Sequence, residues 1–193
     1  MAHTTTIEQD AAGSDQPARW TSTNIMIHWA IVALLAMQAV TQLGMGTFYR
    51  SMQEGVPAGG GPAALGIAHM IVGASIFVLM VWRLVDLQRY GRPPHPPGEP
   101  HWSTVLSTAN HWAFYAILLG MPVAGALAFF LGIGWLAELH EISAYVLVVL
   151  IVLHLAGAVA HQVWFKTSAL KRKMPGNGRA PADAPPVTHY RNA

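Results

Sequence analysis

Residues 137–165 read AELHEISAYVLVVLIVLHLAGAVAHQVWF, an apolar run that carries His140, His154 and His161. A helix of roughly 20 residues crosses a hydrocarbon core of about 30 Å, so this run is long enough to span a membrane. His140 and His154 are fourteen residues apart. At about 3.6 residues per turn that is just under four turns, which puts both imidazoles on one face with α-carbons about 21 Å apart along the axis. Ionisable side chains inside a membrane helix are costly and usually functional, so two on one face at opposite depths point to a ligand-binding role.

Three further runs of similar length lie upstream, near 25–47, 66–87 and 106–131. The expected fold is therefore an all-α membrane protein, a bundle of four transmembrane helices within residues 21–165. The first run follows Thr21-Ser22-Thr23-Asn24, residue types that cap helix N-termini well. Residues 55–62 are rich in glycine and proline and read as a loop. Pro93-Pro94-His95-Pro96-Pro97-Gly98-Glu99-Pro100 reads as an extended linker before the third run. About five residues separate the third and fourth runs, which makes those helices antiparallel neighbours. Residues 1–20 read as a disordered tail without the basic start of a signal peptide, and residues 166–193 as a basic, then Pro/Ala-rich tail.

Composition narrows the chemistry. Of 193 residues, 53% are hydrophobic and only 10% charged, far below the quarter typical of soluble domains. The absence of cysteine excludes disulfides, Cys-ligated iron–sulfur clusters, thiolate zinc sites and Cys-x-x-Cys-His haem attachment. Any iron would be held by nitrogen. A net charge of +2, carried near the apolar segments, gives no nucleic-acid footprint.

Ten of the eleven Lys and Arg residues, all but Arg50, fall near helix ends that share one side. The excess of such cations marks the cytoplasmic side, so both termini are expected inside. Trp29, Trp82, Trp112, Trp135 and Trp164 sit near span ends, as an aromatic belt requires. This orientation gives each histidine a depth. His28 begins an outward helix and His154 lies late in an inward one, so both are near the cytoplasmic side; His69 and His140 each begin inward helices, so both are near the outer side. Each pair can supply two axial imidazoles to one b-type haem, with His28 and His154 on an inner iron and His69 and His140 on an outer one.

His161 preserves the face of His154 but overshoots its depth by about 10 Å, which assigns it to the headgroup level, in contact with a quinone or solvated. Arg83 lies fourteen residues after His69, on the ligand face at the inner level. Two readings stay open there, a cation for a haem propionate or a snorkelling positive-inside anchor. Gly73, one turn beyond His69, is read either as room for a porphyrin or as small-residue helix packing. His111 is expected to open the third helix as a hydrogen-bonding interfacial residue. His95 and His101 in the linker, and His3 and His189 in the tails, are expected to be solvated.

Taken in order, Ile27-His28-Trp29, His69-Met70-Ile71-Val72-Gly73 with Val81-Trp82-Arg83-Leu84, His111 with Gly120-Met121-Pro122-Val123-Ala124-Gly125, and His140-Glu141 with His154 and Ala160-His161 resemble the bacterial cytochrome b561 family. That family is related to the b-type cytochrome subunits of nickel–iron hydrogenases and formate dehydrogenases. The resemblance spans about residues 20–175. It implies a four-helix protein of the bacterial inner membrane with two b haems on His28, His69, His140 and His154, exchanging electrons with a ubiquinone-type quinone. Some members are reported to oxidise superoxide at the outer face.

The chain departs from those members in its short loop between the third and fourth helices. That loop lacks Lys and Arg and is followed by Glu138 and Glu141, leaving Arg50 as the main outer cation. Steering an anion requires a positive surface potential. The expected function is therefore electron transfer to or from a quinone and an unidentified donor or acceptor, within or across the membrane. Superoxide oxidation and service as the haem-bearing anchor of a hydrogenase or dehydrogenase are the alternatives.

Overall fold

The computed structural model describes residues 20–92, 100–163 and 173–177. These form four long helices in chain order: α1 (Ser22–Glu54), α2 (Gly60–Tyr90), α3 (His101–Leu131) and α4 (Gly134–Val163). The expected all-α four-span bundle is what the chain forms. The N-terminal and C-terminal tails and residues 93–99, including His3, His95, Trp164 and His189, lie outside the described residues.

Each helix runs past the apolar stretch that marks it in sequence. α1 has 33 residues, about 50 Å, against a hydrocarbon core of about 30 Å, so its ends project into the headgroup layer. Hydropathy detects the lipid-facing part and falls silent where polar residues continue the same helix. α2 starts at Gly60 rather than near 66 because Pro62 occupies the first turn, where no N–H is needed for an intrahelical bond. α3 starts at His101, directly after Pro100, so His101 is an exposed helical residue and not part of the linker. Thr21 caps α1 by accepting from the Asn24 amide at 3.0 Å. Gly55 (φ 67°) and Gly132 (φ 66°) end α1 and α3 in the left-handed region that glycine tolerates. Only Gly132 and Ile133 connect α3 to α4, a tighter hairpin than the five residues expected.

The core is thin and the outside apolar, the reverse of a soluble domain. Ile27, Ile31, Val72, Ile76, Met80, Tyr115, Leu118 and Leu147 pack together inside, while Leu43, Phe130 and Tyr145 are each about two-thirds or more exposed. Such a surface suits lipid contact. α1 packs most closely on α2 and α3 on α4, and the two hairpins meet mainly through α2 and α3. Small residues close the first pair: a Cβ at Gly44 would lie 2.5 Å from the Leu65 Cβ, and one at Gly66 would overlap the Phe48 ring. α4 packs closely on α3 and stands off from α1 and α2. Imidazoles bridge that gap.

Candidate haem-binding levels

Two histidine pairs span the space between α4 and the first hairpin, one at each end of the bundle. At the far end, beside the short connections, His69 of α2 faces His140 of α4 with ring centroids 6.2 Å apart and planes at 68°. At the terminal end, where α1 begins and α4 finishes, His28 of α1 faces His154 of α4 at 6.3 Å and 62°. These are the pairs that depth predicts.

The separations can be tested against metal ligation. A metal–imidazole bond of about 2 Å plus about 1.1 Å from nitrogen to ring centre, doubled for two imidazoles on one iron, would give roughly 6.2 Å. Both pairs match. Among the described residues no three His, Asp or Glu side chains gather as a bare metal site. Two imidazoles suffice for an iron whose four equatorial positions a porphyrin already fills, so the donor set fits haem and not a free cation.

At the far level the surrounding bonds fix the rings. The Nδ1–H of His140 donates to the Met121 carbonyl at 2.8 Å, which leaves Nε2 with its lone pair for a metal. Gly125 makes this possible, since a Cβ there would sit 2.8 Å from His140 Nδ1 and 2.9 Å from Cε1. Thr41 donates its hydroxyl to the Gln38 carbonyl at 3.2 Å and lies 3.5 Å from His69 Nδ1, a long contact. The Gln38 amide donates to the His69 carbonyl at 3.2 Å. A Cβ at Gly73 would lie 3.4 Å from Gln38 Nε2, close to ordinary contact, so the amide does not require a glycine there. The structural neighbour of Gly73 is thus α1.

The terminal level is crowded and cationic. Arg83 Nη1 lies 3.3 Å from His28 Nδ1, and Arg83 Nε is buried without a hydrogen-bond partner. With Arg83 donating to Nδ1, His28 carries its hydrogen on Nε2, the opposite tautomer to His140. His111 differs from its expected place. α3 begins ten residues earlier, so His111 stands nearly three turns into the helix, its ring 5.4 Å from that of His154 and perpendicular to it. Its Nδ1–H donates to the Ser107 carbonyl at 2.6 Å. His161 lies beyond this level, with Nε2 3.2 Å from the Ser103 hydroxyl.

A polar lid covers this end, and sequence reasoning missed it. Buried Asp86 accepts from the Thr21 hydroxyl, 2.9 Å to Oδ2 and 3.2 Å to Oδ1, and from the Asn24 amide at 3.0 Å. Charge-assisted bonds of this kind contribute about 1.5–3 kcal/mol each. Lys173, ten residues past the end of α4, donates to Asn24 Oδ1 at 2.7 Å and lies over the Trp20 ring at 3.5 Å. Its carbonyl accepts from the Trp29 indole at 2.8 Å. Burial pushes the Lys173 ammonium down to about 6, and the Arg83 charge acts in the same direction. In sequence Asp86 reads as an interfacial acid between Arg83 and Arg89, and Lys173 as one of many tail cations. Nothing local distinguishes either.

Residues 19–176 match the family model described as prokaryotic cytochrome b561. The chain is similar to a protein named cytochrome b562 from Cereibacter sphaeroides, 27% identical over 162 residues, covering 82% of this chain and 97% of the relative. It is similar to a probable superoxide oxidase CybB from Yersinia pestis, 26% identical over 179 residues, covering 81% and 96%. A third relative, cytochrome b561 homolog 1 of Escherichia coli K12, is 26% identical over 184 residues, covering 81% and 97%. With the family model covering most of its length and all four helices apolar enough to span a membrane, the chain belongs to the prokaryotic cytochrome b561 family, as a multi-pass b-type cytochrome of the bacterial inner membrane.

Proposed function

We propose that the chain is a two-haem electron-transfer cytochrome, with His69 and His140 holding one b haem and His28 and His154 the other. The observation that carries this reading is the pair of ring separations, 6.2 and 6.3 Å, each suited to two imidazoles on one iron and set at opposite ends of α4. Haem supplies a one-electron couple when bound. The chain's own residues decide how that couple is used. Held by two histidines each, His69 with His140 and His28 with His154, the haems would supply outer-sphere electron transfer in preference to small-molecule binding. The His140–Met121 bond orients one ligand and raises its basicity.

The broader reaction is transfer between a quinone in the bilayer and a partner, with the terminal end on the cytoplasmic side. Arg83, Arg89, Arg92 and Lys173 at that end support the orientation, against Arg50 alone among the described cations at the other. The relative named a probable superoxide oxidase favours a second reading, in which superoxide is the electron donor. Glu54, Glu138 and Glu141 beside Arg50 give the far end little attraction for an anion. Anaerobic reduction of purified protein should reveal two bis-imidazole haems per chain, reoxidised by a ubiquinone analogue. Absence of quinone reoxidation removes the quinone claim, and stopped-flow reduction by superoxide that slows with ionic strength selects the second reading.

A further inference from the structure

We propose that Lys173 joins Arg83 to form a two-cation seat for the carboxylates of the porphyrin held by His28 and His154. The proposal rests on the haem reading above and adds to it a residue from outside the four helices.

Charge imbalance is the first argument. Among the described residues, Arg83, Arg89, Arg92 and Lys173 lie at the terminal end, and Asp86 is the only carboxylate there. Asp86 already accepts from Thr21 and Asn24. Arg83 directs Nη1 at a neutral imidazole and hydrogen-bonds Tyr115, with Asp86 as the carboxylate near it, while its buried Nε has no partner. A guanidinium offers five donors in a planar fork that matches a carboxylate. Buried cations in this state are costly until an anion arrives.

Lys173 is positioned rather than loose. Its ammonium is held by Asn24 and lies over the face of Trp20, and its backbone carbonyl is held by Trp29. The ammonium has three donors, and the Asn24 contact uses one. Burial that holds it down to about 6 is reversed by a neighbouring carboxylate, which favours the charged form. A b-type porphyrin carries two propionates on one edge, so two cations at one level are the matching number.

The seat also resolves the His28 tautomer. While Arg83 donates to Nδ1, Nε2 bears the hydrogen and cannot ligate. Turning Arg83 toward a propionate frees Nδ1 to take the hydrogen and leaves the Nε2 lone pair for iron. Cofactor edge and cofactor centre are thereby recognised together.

The test uses full-length, haem-loaded protein with Lys173→Gln and Lys173→Arg. The midpoint potentials of the two haems and the rate of haem transfer to apomyoglobin are measured in phosphatidylcholine and in phosphatidylglycerol nanodiscs. Loss of a propionate cation destabilises the reduced form, so Lys173→Gln should lower one potential, leave the other unmoved, and speed haem loss from one level roughly tenfold. Lys173→Arg should restore both readouts. Unmoved potentials with unchanged haem loss overturn the proposal, as does an Arg variant that behaves like Gln. An effect of Lys173→Gln confined to retention of phosphatidylglycerol also overturns it and assigns the cation to a lipid headgroup. The wild-type titration separates the two claims, since two waves uphold the haem reading whatever the variants do.

Discussion

The far level and the terminal level present the same imidazole pair in opposite settings. At the far level, His140 donates to a backbone carbonyl and His69 sits near a threonine hydroxyl, with no cation contacting either ring among the described residues. At the terminal level, a guanidinium touches His28 and a third imidazole meets His154. Donation from a ligand's Nδ1–H strengthens that ligand and favours ferric iron, whereas nearby positive charge favours the ferrous form. One helix face thus offers two different redox environments. A haem at the terminal level should therefore have the higher potential, so that electrons would run downhill from the far level toward the end bearing the cations.

Removing a ligand should break the comparison outright. His140→Ala is expected to leave one haem per chain with the terminal-level potential, and His154→Ala one haem with the far-level potential, both read from the haem-to-protein ratio and a redox titration. Gly125→Val should come next, because the added side chain enters the space of the His140 ring. It should weaken far-level haem binding by roughly ten- to a hundredfold while sparing the terminal level. Equal loss at both levels would mean that Gly125 supports the bundle and not one ligand.

Smaller changes sharpen the contrast. Arg83→Gln should lower the terminal potential and leave the far one in place, a wave-specific shift in the titration. In haem-depleted protein the Lys173 contact should depend on pH. The group lies near 6 when docked and near 10.4 when free, so the free tail binds more protons between these values. Docking should therefore tighten as pH rises from about 6 toward 10 and be weakest at or below 6. Because the chain lacks cysteine, Met174→Cys gives a single spin-label site whose mobility should fall across that window. Thr41→Val should do least, a few-fold loss at the far level at most, since its contact with His69 is 3.5 Å long.

The spans and the histidine pairing were legible in the sequence because both depend on local pattern. Apolar length marks a membrane helix, and alternating helix direction turns sequence position into depth. Helix ends were not legible, since Pro62 and Pro100 look like breakers yet occupy or precede a first turn. His111 makes the hydrogen bond expected of it, but it does not open α3: the helix starts ten residues before it, at His101, and the His111 ring lies 5.4 Å from that of His154. Gly125 lay within a quoted segment, but the ring that needs its missing side chain is on another helix. Lys173 and Asp86 act through contacts across more than sixty residues, which no periodicity reveals. Arg83 was readable as a candidate only because it repeats the fourteen-residue interval from His69.

The most direct test is a spectroelectrochemical titration of the purified full chain with the haem-to-protein ratio measured on the same sample. Two haems per chain, both bis-imidazole, titrating as two waves of which Arg83→Gln lowers only the higher, is the predicted result. One haem per chain, or two waves that Arg83→Gln shifts equally, contradicts it.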